Sequence, residues 1–277
     1  MADPGFLLIF AISLVAGFFG AMTGLGGGTI IVPVLTYLGV DIKLAIAASM
    51  VSVIATSCSS AASYLREGLV NLKVGMYLEM FTVSGAIVGA SITLASGQDL
   101  LFVIFGCVLI GAAVLLFIRQ RAPEREAVDN RDRLSCWLEL SGKCEDRAEK
   151  KTIVYYPSRA AAGGPLMVIA GMISGLLGIG AGAFNVLAQD LVMGLPTKVS
   201  TATSTLIIGV TALAGTGIYL SAGLVDPDLA VPVILGVMLG ALGGSFILIR
   251  STNRAVRNYF MVVVVVIGID MVIRGVS

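Results

Sequence analysis

The chain has 277 residues, of which 57% are hydrophobic and only 13% charged, with 18 Lys and Arg against 17 Asp and Glu. A soluble domain carries about 25% charged residues, and long apolar stretches with few charges are transmembrane helices, so this composition excludes a soluble globular protein. The net charge of +1 says nothing about nucleic acid, but there is no basic stripe with interleaved aromatics, so no nucleic-acid partner is expected.

The first apolar run extends from Phe6 to Thr23 and is preceded by no Lys or Arg. A cleaved signal peptide normally has a basic leading region, so this run is read as a helix that stays. It runs into "GAMTGLGGGTIIVPVL", residues 20 to 35, which places Gly24, Gly26, Gly27 and Gly28 within five residues and Pro33 shortly after. Glycine costs about 1 kcal/mol per helical position relative to alanine, and proline about 3. The helix is therefore broken there. A crossing needs about 20 residues, so the next segment, Gly28 to Leu38, is a half-helix. Segments Lys43 to Leu65, Lys73 to Ala95 and Leu100 to Ile118 complete a first unit, residues 1–118.

Residues 119–160 form a charged linker that holds ten of the 18 Lys and Arg. Within it "CWLEL" and "TIVYY" have strand character and "SGK" signals a turn, which predicts a small cytoplasmic hairpin or a partly disordered connector. Cys136 and Cys144 lie in the linker, and Cys58 and Cys107 in apolar helices. A zinc site would need two further ligands, and the chain has no histidine. The reading calls for no metal and no cofactor. Segments Pro165 to Leu177, Gly182 to Met193, Lys198 to Leu220, Leu229 to Ile249 and Ala255 to Ile273 form a second unit, residues 161–277.

The second unit repeats the first. With a shift of 155, "GVDIKLAIAAS" from Gly39 lies over "GLPTKVSTATS" from Gly194, and Tyr64, Gly68, Leu69 and Val70 fall on Tyr219, Gly223, Leu224 and Val225. "GAIVG" at Gly85 falls on "GALGG" at Gly240. With a shift of 154, "GLGGG" at Gly24 falls on "GIGAG" at Gly178. The predicted fold is an all-α integral membrane protein of two homologous repeats with five helical segments each. Basic residues mark cytoplasmic loops: Arg66 and Lys73, the linker, and Arg250, Arg254 and Arg257. If all three places are cytoplasmic, each short segment counts as a crossing and the repeats are inverted, with Lys43 as the dissenting residue. The alternative has four crossings per unit and parallel repeats.

A break at membrane depth must be buried in protein or line a watered cavity. A helix that starts there offers free N–H groups and its positive dipole end, an anion site without a buried lysine. Secondary transporters place paired broken helices at the repeat interface near the midplane. The predicted site is therefore Gly24, Gly26, Gly27 and Gly28 with Gly178, Gly180, Ala181 and Gly182. The competing reading is helix packing, since Gly24 and Gly28 also spell a small-xxx-small pattern. That reading is the better one for Gly85 and Gly89, and for Gly240 and Gly244.

Asn185, Gln189 and Asp190 stand on the second short segment, where the first has Ile31, Leu35 and Thr36. Ser49, Thr203 and Ser204 lie in the hydroxyl-rich starts of the third segments. Their polar groups complete the candidate pocket, although many transmembrane Ser and Thr only bond back to their own helix. Intramembrane ionisable groups are costly and usually functional. Glu79 and Asp190 are the candidate proton carriers, and Asp270 lies near a helix end.

"GFFGAMTGLGGGTIIVPVL", "ISGLLGIGAGAF" and "GLPTKVSTATSTLIIG" resemble the TauE/SafE sulfite exporters, also called toluene sulfonate uptake permeases, over both repeats. The resemblance implies secondary transport of a sulfur oxyanion across a prokaryotic cytoplasmic membrane: sulfite, a sulfonate or sulfoacetate, with proton coupling as the expected drive. The sequence departs from its own first motif at Ala181, opposite Gly27, and at Leu187, opposite Pro33. The expected partners are a small oxyanion and the lipid bilayer. The rival expectation is a passive anion channel with the broken helices as its filter. An enzyme is disfavoured, because no nucleophile–base pair is visible.

Overall fold

The computed structural model describes residues 5–23, 26–121, 132–146, 151–250 and 254–276. The first unit contains α1 (Phe6–Thr23), α2 (Gly28–Tyr37), α3 (Ile42–Arg66), α4 (Leu72–Ala95) and α5 (Gln98–Arg121). The linker contributes α6 (Arg133–Trp137), β1 (Gly142–Asp146) and β2 (Lys151–Tyr155). The second unit contains α7 (Ala160–Leu177), α8 (Gly182–Leu187) running into a π-helix (Ala188–Val192), α9 (Thr197–Ser221), α10 (Pro227–Arg250) and α11 (Arg254–Val276). Six of these, α3, α4, α5, α7, α9 and α10, are long and apolar enough to cross a membrane, while α1 and α2 are shorter apolar helices. The chain is a multi-pass membrane protein.

The units are interleaved. The largest interfaces pair α1 with α10, α4 with α7, α5 with α11 and α3 with α9. Glycines at i, i+4 spacing let backbones meet, as membrane helices favour when no hydrophobic effect drives association. Along α10, Gly236 faces Phe10 and Ser13, Gly240 faces Leu14, and Gly244 faces Phe18 and Ala21, so α1 and α10 run parallel. Gly85 faces Val168 and Gly89 faces Met172, so α4 and α7 also run parallel. Gly85, Gly89, Gly240 and Gly244 pack helices, as expected, and Gly236 does the same.

The equivalent helices run the other way. Gly209 meets Ser57 while Gly215 meets Met50, so α3 and α9 are antiparallel. Gly106 meets Val272 while Gly275 meets Val103, so α5 and α11 are antiparallel.

Lys43, out of place by the charge pattern, donates from Nζ to the Leu94 carbonyl at 3.1 Å. It sits at the carboxyl end of α4, where a cation is favoured. Asp41 caps α3 through the Lys43 N–H at 2.8 Å and also accepts from Gln98.

Three expectations need correction. The helix α7 begins at Ala160, so Pro165 lies inside it and does not start it. The second short segment is not one α-helix, because it widens to π at Ala188. The linker does form a hairpin, but "CWLEL" is no strand. Its first residues close α6, with the Glu139 N–H bonding the Cys136 carbonyl and the Leu140 N–H bonding the Ser135 carbonyl. That paired pattern ends a helix with a left-handed residue, here Glu139 at φ 49°. The strands are instead Gly142–Asp146 and Lys151–Tyr155, paired antiparallel with Gly142 opposite Tyr155.

The hairpin docks on the start of α4. Asn71 accepts from the Val74 N–H to cap the helix, and its Nδ2 donates to the Leu140 carbonyl at 2.9 Å and to the Tyr155 hydroxyl at 3.1 Å. Burial pushes the Tyr155 phenol up to about 12, so it stays neutral at this contact. Nearby, the Lys73 ammonium bonds Glu139 at 2.6 Å and holds that carboxyl below its ordinary range.

Candidate functional site

Each helix restart follows a glycine in the left-handed region. After α1 the chain resumes at Gly26 with φ 75°, and Gly27 caps α2. The Gly27 carbonyl accepts from the N–H groups of Ile30 and Ile31 at 3.2 and 3.3 Å. In the second unit Gly180 has φ 76° and Ala181 caps α8. The Ala181 carbonyl accepts from Phe184 and Asn185 at 3.0 and 3.1 Å. Among the described residues, the N–H groups of Gly28 and Thr29, and of Gly182 and Ala183, are left without a hydrogen bond. These are the orphan donors of a helix start, and the helix dipole adds positive potential to them.

The two breaks touch. A methyl placed on Gly28 would overlap both the Gly178 carbonyl and the Ser49 hydroxyl, and would stand 3.0 Å from Ile179 Cα. A methyl on Gly26 would lie 3.3 Å from the Val53 side chain and 3.5 Å from the Ile179 carbonyl. Val53 is near the middle of the 25-residue α3, so the junction sits at mid-depth of the bundle. Every described residue from Gly26 to Thr29 and from Gly178 to Ala183 is buried.

Buried polar side chains on the elements that meet at the junction divide into bonded and unbonded groups. Ser49 donates to the Gly178 carbonyl at 2.6 Å, and Ser204 to the Gly182 carbonyl at 3.5 Å. Asn185 and Gln189 are 1% and 0% exposed. Asn185 Oδ1, both amide atoms of Gln189, the Ser200 hydroxyl and the Thr29 hydroxyl are buried without a partner among the described residues. A buried polar group without a partner costs about 1–3 kcal/mol. Gln189 stands in the π-turn, a distortion frequent at functional sites.

Gly26, Gly27, Gly28, Ser49, Gly178, Gly180, Ala181, Gly182 and Ser204 therefore share the junction region, with Asn185 one turn further along α8. Gly24 lies outside the described residues. Thr203 faces elsewhere and accepts from the Asn71 N–H at 3.0 Å, below the linker hairpin. Glu79 is half-buried between α4 and α9, 3.2 Å from the Thr211 hydroxyl, which is 3.0 Å from that of Thr82. Asp190 lies within the π-turn and is half-buried. Asp270 pairs with Arg274 at 3.0 Å near the end of α11. Thr29 was not singled out by sequence, because one threonine after three glycines carries no periodic signal.

Ala181 carries strain that the first break avoids. Its φ is 45°, whereas Gly27 has φ −69°. A left-handed residue with a Cβ costs roughly 1–2 kcal/mol. Ala181→Gly is expected to stabilise the protein by about 0.5–1 kcal/mol, after the greater unfolded-state entropy of glycine is subtracted. Thermal melts in one detergent check this, and a lower melting temperature would contradict the strain.

An interleaved helical bundle with two half-helices that start at a buried junction defines a polytopic membrane protein of transporter type. Residues 9–271 match the family described as sulfite exporter TauE/SafE, and the chain belongs to that family. It is 27% identical over 280 residues to the probable membrane transporter protein YunE of Bacillus subtilis, covering 98% of each chain. It is 30% identical over 240 residues to the probable membrane transporter protein YdhB of the same organism, covering 86% of this chain and 87% of that one. A probable membrane transporter protein, ORF9, of a Sinorhizobium species is 23% identical over 274 residues. No solved structure matches the chain.

Proposed function

We propose that the chain is a secondary transporter of a small sulfur oxyanion, of the sulfite, sulfonate or sulfoacetate class, working by alternating access in a prokaryotic cytoplasmic membrane. The units 1–118 and 161–277 are inverted repeats, and the linker 119–160 is cytoplasmic. The observation that carries this reading is two buried helix starts with four unbonded N–H groups among the described residues, the second leading on to the buried, unpartnered Asn185 Oδ1 and Gln189 amide. Such donors are neutral, so they bind an anion by hydrogen bonds and dipole without the insertion cost of a buried lysine. A fixed cation would also hold the anion too firmly for release.

The tight packing of Gly28 on Gly178 supports a closed state that must open to either side, and it does not fit an open filter. Glu79 and Asp190 are the proposed proton carriers. Purified protein in liposomes should move sulfite saturably, with accumulation driven by an imposed proton gradient. Linear flux insensitive to the gradient would favour a channel. No flux of sulfite, sulfate or small sulfonates would overturn the oxyanion reading.

A further inference from the structure

A helix end presents carbonyl oxygens as well as a helix start presents N–H groups, and the two have opposite potentials. At the junction, the carboxyl end of α7 lies directly against α2, since Gly28 packs on Gly178 and Ile179. Left bare, its carbonyls would oppose an anion bound at the neighbouring N–H groups. They are not bare. The Tyr219 hydroxyl donates to the Gly175 carbonyl at 2.6 Å, Thr93 to the Leu176 carbonyl at 2.6 Å, and Ser49 to the Gly178 carbonyl at 2.6 Å. The Gly178 N–H closes on the Ser174 carbonyl at 2.8 Å.

The three hydroxyls come from α9, α4 and α3, so both units contribute. The first break repeats the device. Tyr64 donates to the Ala21 carbonyl at 3.1 Å, and Ala21 precedes Gly24 as Gly175 precedes Gly178. Both tyrosines are 0% exposed. Two fully buried phenols at repeat-related positions, each on the carbonyl three residues before a break, are more than ordinary helix back-bonding.

Resting on the oxyanion reading above, we propose that Tyr219, Thr93 and Ser49, with Tyr64 at the first break, are positioning residues. They fix the carboxyl ends of the broken helices and weaken the negative potential of the Ala21, Gly175, Leu176 and Gly178 carbonyls, so that the neighbouring N–H groups meet the substrate with less opposition. They select anions by removing a competing negative end, without touching the ligand themselves.

The test uses the full-length protein in nanodiscs, with sulfite as the probe. Tyr219→Phe and Thr93→Val each remove one hydroxyl, Thr93→Ser keeps it, and Tyr77→Phe removes a hydroxyl bonded to Ala160 at the far end of α7, at 3.2 Å. Amide hydrogen exchange over residues 174–182 and sulfite affinity are both read. Tyr219→Phe and Thr93→Val should each speed exchange there and weaken sulfite binding roughly two- to tenfold, the worth of one hydrogen bond. Thr93→Ser and Tyr77→Phe should match the wild type. Faster exchange with unchanged sulfite affinity would reduce these hydroxyls to structural bonds and overturn the proposal, as would unchanged exchange. A wild type that binds no oxyanion sinks the functional reading instead, and exchange in the variants still decides whether the hydroxyls hold the helix end.

Discussion

Gly28→Val is expected to abolish oxyanion binding while the protein still inserts and elutes as a folded species. The first carbon of the new side chain would overlap the Gly178 carbonyl and the Ser49 hydroxyl. The Gly178 carbonyl and Ile179 Cα belong to backbone that is packed in turn, since Gly178 abuts the Ile46 carbonyl. Overpacking a close-packed interior costs about 1–3 kcal/mol, and here the relief available is separation of the two breaks. The N–H groups of Gly28 and Thr29, beside that contact, would then be displaced. Gly26→Val should act in the same direction, because φ 75° resists a branched side chain and Val53 already fills the space. Gly217→Ala is the matched control. No atom beyond its own helix lies within 4 Å of that position among the described residues, so binding should be unchanged. Calorimetric titration of purified proteins distinguishes these outcomes. Native affinity in Gly28→Val would mean that the glycines only pack helices.

The second large effect is on coupling. Glu79→Gln should remove the dependence of transport on an imposed proton gradient while sulfite binding persists. The glutamine keeps the shape of the carboxylate and can still accept from Thr211, 3.2 Å away. What it loses is the ability to take up and release a proton. The group is half-buried in a membrane-spanning helix, where an ionisable side chain is costly and usually has work to do. Asp190→Asn is the parallel test at the π-turn. Counterflow, which needs no net proton movement, should survive in the variant of whichever residue carries the proton. A variant whose pH profile is unchanged is cleared of the role.

The breaks were legible in the sequence because glycine clusters and a segment too short to span are local signals with known costs. The repeat was legible because Gly24 and Gly178 occupy matching places. The pairing of α1 with α10 and of α4 with α7 was not, since periodicity reports which face is apolar and says nothing about the partner. The π-turn at Ala188 was hidden for a similar reason. It is a widening imposed inside an otherwise helical run. Tyr64 and Tyr219 were visible as a repeated pair, but their bonds to Ala21 and Gly175 cross between helices and leave no mark in spacing. Ser49 was read as a donor for substrate, and its proton instead bonds the Gly178 carbonyl. Thr203 looked equivalent to other hydroxyls in its run, yet the one-residue step from Ser204 turns it toward Asn71.

The central claim is that an oxyanion sits where the two helix starts converge. A structure of the protein with sulfite bound tests it most directly. Ligand density is expected about 2.7–3.2 Å from the N–H groups of Gly28, Thr29, Gly182 or Ala183, with Asn185 or Gln189 turned toward it. Sulfite density well away from both breaks, with the Gly28–Gly178 contact intact around an empty junction, would contradict it.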